Sequence, residues 1–245
     1  MHSNPVIEIL AVGSEMLTPF FQDTNSLFLI ERLNDIGLTV DFKTITGDEW
    51  DTLTTAIRDA VKRSDIVIAM GGLGPTKDDQ TREAFASVLG AKLIFKDDLF
   101  KKIESRFNRR KLEMPLVNKK QAYIFEGSTI LNNRNGTAPG LWLEQSGKTI
   151  ILLPGPPHEI KPMFDEVIIP RFAQTASRHS ARRIIRIAGM AESKIESQIF
   201  DLYPEDKDLH MTTLAKPGQI ELRLSSYSMK SESEAESRVE SLCRS

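Results

Sequence analysis

Hydrophobic and polar positions along the chain switch between two periods, and the switches lay out its elements. Residues 6–12 are almost continuously apolar and stop at Gly13, the pattern of a strand buried on both faces. Asp23, Thr24 and Asn25 supply capping oxygens for a helix with Leu27, Leu29, Ile30, Leu33 and Ile36 on its apolar face, and Gly37 closes it. Residues 38–46 alternate as a second strand. Asp48 stands where an N-cap belongs, before a helix that turns Leu53, Ile57 and Val61 inward, and residues 66–70 form a third strand. This β-α-β-α-β succession predicts an α/β fold, a three-layer and mostly parallel sheet with helices on both faces. Gly13, Asp48 and Gly71 all fall at carboxyl ends of strands, where ligands bind in such sheets.

Further on the pattern is less regular. A charged amphipathic helix over 97–111 runs toward Pro115, and the turn-rich stretch 132–140 precedes a strand pair at 141–144 and 148–153. The second of these leads into Pro154-Gly155-Pro156-Pro157, then a helix that Pro170 is expected to end. Small polar residues over 173–181 read as a linker between a domain at 1–172 and a second at 182–245. The latter carries a β-α-β-β-α pattern, and its final helix stops without a cap, as a truncated chain would.

Composition changes this picture mainly by exclusion. Thirty-two basic residues against 34 acidic ones, a net charge of −2, leave no global field toward nucleic acid or anionic lipid. A single cysteine, Cys243, rules out an internal disulfide and a cysteine-built metal cage, and fits a reducing compartment. His158, His179 and His210 share no ligand spacing. The first residues lack a basic region, the apolar run behind them is too short for a signal peptide, and no stretch reaches the length of a membrane span. A cytoplasmic protein with no membrane partner is expected.

Candidate chemistry concentrates in the loop 71–81, Gly-Gly-Leu-Gly-Pro-Thr-Lys-Asp-Asp-Gln-Thr, between the third strand and a helical pattern. Gly71, Gly72 and Gly74 let backbone N–H groups approach an anion closely, and the next helix offers its positive end to the same place. Asp78 and Asp79 would repel a phosphate unless a metal ion or a proton sits between. The loop therefore points to phosphate chemistry. A tight strand-to-helix turn is the plainer alternative.

With these residues assembled, the chain resembles the CinA family of competence-damage-inducible proteins. The matching stretches are 13–17 (Gly-Ser-Glu-Met-Leu), 23–25 (Asp-Thr-Asn), Gly47-Asp48, 71–81, 118–122, 136–140 and 154–159. They run in order, at family-like spacing, from about residue 5 to 172. The resemblance implies a molybdopterin-binding-like first domain and a KH-type second one. Nothing here corresponds to the nicotinamide-nucleotide amidase domain that many members carry. It implies an ADP-ribose pyrophosphatase, hydrolysing a nucleotide or nucleotide-sugar substrate to AMP and ribose 5-phosphate with a divalent metal, Mg, Mn or Co. Glu15, Asp48 and Asp79 match the catalytic acidic positions, with Asp48 and Asp79 as metal ligands. Substrate contacts are expected from Gly13, Ser14, Asn25, Gly71, Gly72, Gly74, Pro75, Thr76, Asp78, Lys119, Gly136, Thr137, Pro154, Gly155, Pro156 and Glu159. Pro19 and Phe125 depart from the family's usual glycine and proline, which bears on substrate fit.

Each acidic residue also has a plain reading: Asp48 or Asp78 as a helix cap, Glu15 as a solvated loop residue. Two other functions compete with hydrolysis. One is molybdopterin adenylylation on the same fold; the other is a non-catalytic nucleotide sensor or RNA-binding module. RNA-binding KH domains clamp the backbone with a Gly-x-x-Gly loop. Beyond Met190 the chain has only Gly218, so specific nucleic-acid binding is not expected, and the second domain is read as a spacer or as the dimerisation element of a homodimer.

Overall fold

The computed structural model describes residues 5–175 and 179–244. The expectations for residues 1–4 and for the middle of the 173–181 linker fall outside these. The chain divides into two compact units, Met1–Glu31 with Thr39–Pro170, and Arg32–Leu38 with Arg171–Ser245.

Along the chain, β1 (Ile7–Val12), α1 (Asn25–Asp35), β2 (Phe42–Thr46), α2 (Trp50–Arg63), β3 (Ile66–Met70) and α3 (Thr81–Leu89) alternate in the expected order. There follow β4 (Leu93–Phe95), α4 (Asp97–Arg109), β5 (Tyr123–Phe125), β6 (Thr129–Leu131), β7 (Gly140–Gln145), β8 (Lys148–Leu153), α5 (Pro157–Met163) and α6 (Ile169–Thr175). The main sheet has the order β2-β1-β3-β8-β7-β6. Its β2, β1, β3 and β8 run parallel, while β7 and β6 are added antiparallel. A small β4–β5 pair lies apart from it. Every residue of β1 and β3 is buried, as strands covered on both faces must be. Leu10, Val12, Val67 and Ala69 pack with Leu53 and Ile57 of α2 and Phe85 of α3.

Two local expectations are corrected. The second strand begins only at Phe42; just before it the Asp41 side chain accepts the Ile7 N–H at 2.8 Å while the Asp41 N–H donates to the Ile7 carbonyl at 2.9 Å. Pro170 does not end its helix. A π-type segment, Phe164–Ile168, precedes it, and α6 continues through Pro170 to Thr175. The wider turn accommodates a residue that has no N–H and crowds the carbonyl four residues back. Helix α6 and strand β9 (His179–Ala188) therefore take up the described parts of the presumed linker.

The second unit continues with α7 (Glu192–Ile199), β10 (Leu209–Lys216), β11 (Gln219–Ser228) and α8 (Glu232–Arg244), the expected β-α-β-β-α order. Its antiparallel sheet has the order β10-β11-β9. Ile195 and Ile199 of α7 and Ala235 and Val239 of α8 join Ile220, Leu222 and Leu224 in one core. No helix among the described residues is long and apolar enough to cross a membrane.

One buried charge went unanticipated. Glu8, inside β1, is fully buried and accepts from Arg63 Nε at 2.8 Å, Thr44 Oγ1 at 2.6 Å and Ser64 Oγ at 3.0 Å. Burial pushes its carboxyl up, but the hydrogen bonds from Arg63, Thr44 and Ser64 outweigh this and hold it below the ordinary value. Because the folded value is depressed, the stabilisation is complete above the ordinary glutamate range, roughly pH 4–5, and is lost as pH falls through the folded value. Glu8→Gln should therefore cost about 1.5–3 kcal/mol near neutral pH, the worth of hydrogen bonds to a charged group. Urea titrations of both proteins should give midpoints that separate at pH 7 and converge at acid pH. An equal gap at both would mean that the carboxylate's charge contributes nothing.

Candidate functional site

The carboxyl ends of β1, β2, β3 and β8 come together around backbone that has no side chains in the way. A Cβ on Gly71 would lie 2.1 Å from the Val12 carbonyl oxygen, and φ at Gly71 is +98°. The Gly71 N–H donates to the Leu153 carbonyl at 3.0 Å, and Gly155 lies against the Gly71 Cα. The next glycine, Gly72, has φ +65° and sits directly over the Thr81 hydroxyl, where α3 begins. Only glycine fits such positions.

Asp48 and Asp79 reach this place from different elements. Asp48 accepts the Ser14 N–H through Oδ2 at 2.8 Å, and its own N–H donates to Ser14 Oγ at 3.2 Å. This reciprocal pair ties the loop after β1 to the loop after β2. Asp79 folds back on its own loop, accepting the Thr76 N–H at 2.9 Å and the Thr76 hydroxyl, both through Oδ2. Neither aspartate caps a helix: Glu49 and Gln80 hold the N-cap positions of α2 and α3, and neither makes a side-chain capping bond. The capping reading of Asp48 is thus replaced by a cross-strand clasp. The Thr76 hydroxyl, the loop backbone and the Lys120 charge together hold the Asp78 carboxyl below its usual range.

Gly13, Glu15, Asn25, Asp48, Gly71, Gly72, Gly74, Pro75, Asp78, Asp79, Thr137, Pro154, Gly155, Pro156 and Glu159 all line one cleft of about 550 Å³. Asn25 Nδ2 donates to the Gly155 carbonyl at 2.7 Å, while its Oδ1 is buried with no partner among the described residues. Glu159 accepts from Asn133 Nδ2 at 2.6 Å and fills the space that a side chain at Gly136 would occupy. Arg106 steadies that turn from behind, donating to the carbonyls of Asn133, Arg134 and Gly136.

Four expected contacts do not line the cleft. Ser14 and Thr76 act one step back, through Asp48 and Asp79. Gly136 sits behind Glu159. The Lys119 ammonium lies 5.3 Å over the Phe95 ring, and its neighbour Lys120 makes the loop contacts instead. Sequence reading missed Met16, Phe21, Asp23, Thr24 and Gln121 as lining residues. Asp23 and Thr24 flank Asn25 in a stretch already singled out; Phe21 gave no signal. Among the described residues no group of three or more His, Cys, Asp or Glu side chains is arranged to hold a metal.

A parallel sheet with a glycine loop and acidic side chains at its carboxyl edge defines an α/β domain with a ligand cleft at its strand ends. Residues 8–174 match the family described as probable molybdopterin binding domain, and residues 182–245 match the damage-inducible protein CinA KH domain. The chain belongs to the CinA family. It is 44% identical over 237 residues to a putative competence-damage inducible protein of Caldicellulosiruptor bescii, covering 97% of this chain and 57% of that protein. With a CinA-like protein of Solibacter usitatus it shares 46% identity over 218 residues, 89% of this chain and 52% of the other. It thus spans little more than half the length of these curated relatives. The crystal structure of CinA from Thermoplasma acidophilum, described as of unknown function, superposes with a TM-score of 0.63 at 30% identity, covering 69% of this chain and 98% of that one.

The glycines give a paired test. Gly71→Ala forces a Cβ into a backbone carbonyl at a positive φ and should cost upwards of about 3 kcal/mol, enough to threaten folding. A Cβ at Gly74 first meets the Asp79 carboxylate, a side-chain end 2.4 Å away, and the backbone there is not left-handed. Gly74→Ala should leave stability within about 1 kcal/mol while displacing that carboxylate. Thermal melts of both variants would check the contrast. A Gly71→Ala protein as stable as the wild type would contradict the packing described.

Proposed function

We propose that the cleft hydrolyses the pyrophosphate of ADP-ribose, or of a related nucleoside diphosphate derivative, to AMP and ribose 5-phosphate. The observation that carries this reading is that Asp48 and Asp79 line one cleft beside the glycine loop. Each is held by a local backbone N–H through Oδ2, and Oδ1 of each has no hydrogen bond among the described residues.

The donor set suits a hard divalent ion. Magnesium is commonly held by one or two carboxylates together with substrate phosphates, so two aspartates suffice without a three-residue cage. Asp48 and Asp79 would hold it, and when bound it neutralises charge on the phosphates. The chain's own groups do the rest. The side-chain-free backbone of Gly72 and Gly74, which line the cleft ahead of α3, would let the phosphates approach closely, and the positive end of that helix favours their negative charge. Asn25 presents its unpaired Oδ1 to a ligand donor, and the prolines at 154, 156 and 157 form a stiff apolar wall. Water attacks one phosphorus, the bridging P–O bond breaks, and Glu15 at the cleft rim accepts the water's proton.

A second reading, molybdopterin-type ligand binding without hydrolysis, is favoured by the family match over residues 8–174. Incubation of the protein with ADP-ribose and a panel of metals, with chromatography of the products, separates the two. Chelation should abolish turnover and Mg²⁺, Mn²⁺ or Co²⁺ should restore it. Asp79→Asn and Asp48→Asn should each lower turnover by at least about a hundredfold, the scale of losing a general base or essential ligand. The double variant should lose far less than the product of the two, as groups acting as one unit do. Folded single variants with near wild-type rates would exclude these aspartates from the chemistry.

A further inference from the structure

The segment Leu116–Ala122, a tight 3₁₀ turn that joins α4 to β5, contributes three polar side chains to the back of the glycine loop. Asn118 and Gln121 are buried, with Asn118 Nδ2 donating to Gln121 Oε1 at 3.0 Å, and Gln121 Nε2 lies 3.5 Å from the Leu73 carbonyl. Between them, Lys120 sends its ammonium to two carbonyls of the turn that carries the aspartates. It donates to Thr76 O at 2.8 Å and to Asp79 O at 2.6 Å. These two carbonyls flank the stretch in which Thr76 grips Asp79 Oδ2.

We propose that Lys120 is a positioning residue for Asp79: by holding both ends of the Thr76–Asp79 turn it fixes the direction in which the aspartate's free oxygen points into the cleft. This rests on the hydrolytic reading for its consequence in turnover, but the geometry of the clamp does not. Two charge-assisted hydrogen bonds from one ammonium to the carbonyls at both ends of a short turn leave that turn little freedom. The same positive charge lies beside Asp78 and Asp79, so it also relieves the repulsion of two adjacent carboxylates facing an anionic substrate. A lysine has the right shape for this. It is a compact point charge on a flexible stem, with three donors and no planar fork to satisfy.

Three variants test the assignment. Lys120→Met keeps the stem and removes the donors and the charge, Lys120→Gln keeps a donor without the charge, and Lys120→Arg keeps both. Turnover of ADP-ribose with Mg²⁺ or Mn²⁺ should fall about tenfold to a hundredfold in kcat for Lys120→Met, with KM changed far less, because the lost orientation is felt at the transition state. Lys120→Gln should fall between, and Lys120→Arg should recover most of the loss. Hydrogen exchange on the full chain supplies a readout independent of catalysis. In Lys120→Met, amides of the turn at 76–80 should exchange faster, with β3 and the body of α3 unchanged. If the wild-type protein hydrolyses no nucleotide, the functional reading fails and exchange alone decides the clamp. Wild-type kcat in a folded Lys120→Met protein overturns the proposal. So does exchange at the turn unchanged from wild type, or exchange raised equally across β3 and α3, which marks a general structural staple.

Discussion

The approach of Gly71 to the carbonyl of Val12, too close for a Cβ, is the constraint on which the cleft depends. Parallel strands diverge at their ends unless something holds them, and here the space between β1 and β3 is too narrow for one methyl group. Gly71 also receives β8 through the Leu153 carbonyl, so three strand ends share a single residue. Everything that faces the cleft is placed relative to this point. The loop after β1 carries Glu15 and the Ser14 that clasps Asp48; the loop after β3 carries Asp79; the loop after β8 carries Gly155, which anchors Asn25. Residues from seven separate stretches converge because backbone, and not side chain, occupies the centre.

Much of this was legible from punctuation. Apolar runs ending in Gly13 and Gly71 marked strand ends, and a doubly wound sheet brings such ends to one edge. Other features depended on contacts between residues far apart in sequence. Which of two adjacent lysines reaches the loop is decided by the 3₁₀ turn, which sends Lys119 to the Phe95 ring and Lys120 to the carbonyls. The Glu8–Arg63 pair joins the first strand to the end of the second helix, and a lone glutamate in an apolar run gives no hint of its partner. Arg106 is one of many charges on the amphipathic helix at 97–111, and nothing in that pattern shows that it steadies the turn behind Glu159. Pro170 misled for a local reason: proline ends helices where the preceding turn is regular α, and here it is wider.

Both units use a buried carboxylate to fix strands whose apolar faces alone leave register loosely specified. In the first, Glu8 accepts from Thr44 of the neighbouring strand and from Arg63 and Ser64 at the end of α2. In the second, Glu221 on the central strand receives Lys216, Arg223 and Arg186, whose hydrogen bonds pull its carboxyl down to about 2. Its partners come from all three strands of that sheet. A one-residue slip would move each carboxylate to the opposite face and strand its cations. These pairs therefore specify alignment, a role distinct from adding net stability.

The same economy governs the cleft. Carboxylates gathered at one edge of a sheet repel one another, and an empty site of that kind would tend to spread. Here each aspartate already accepts hydrogen bonds from the protein before any ligand arrives: Asp48 from the Ser14 N–H, Asp79 from the Thr76 N–H and hydroxyl. Thr76 belongs to the same short loop as Asp79, and Ser14 reaches Asp48 from the adjacent strand end, so both acids are held in place before charge enters the cleft. The Asp79 arrangement also explains why Gly74 is glycine although its backbone is not left-handed. Asp79 folded back on Thr76 occupies the place of a Cβ at that position. The glycine thus follows from the aspartate's orientation, and the two must be read together as one element of the site.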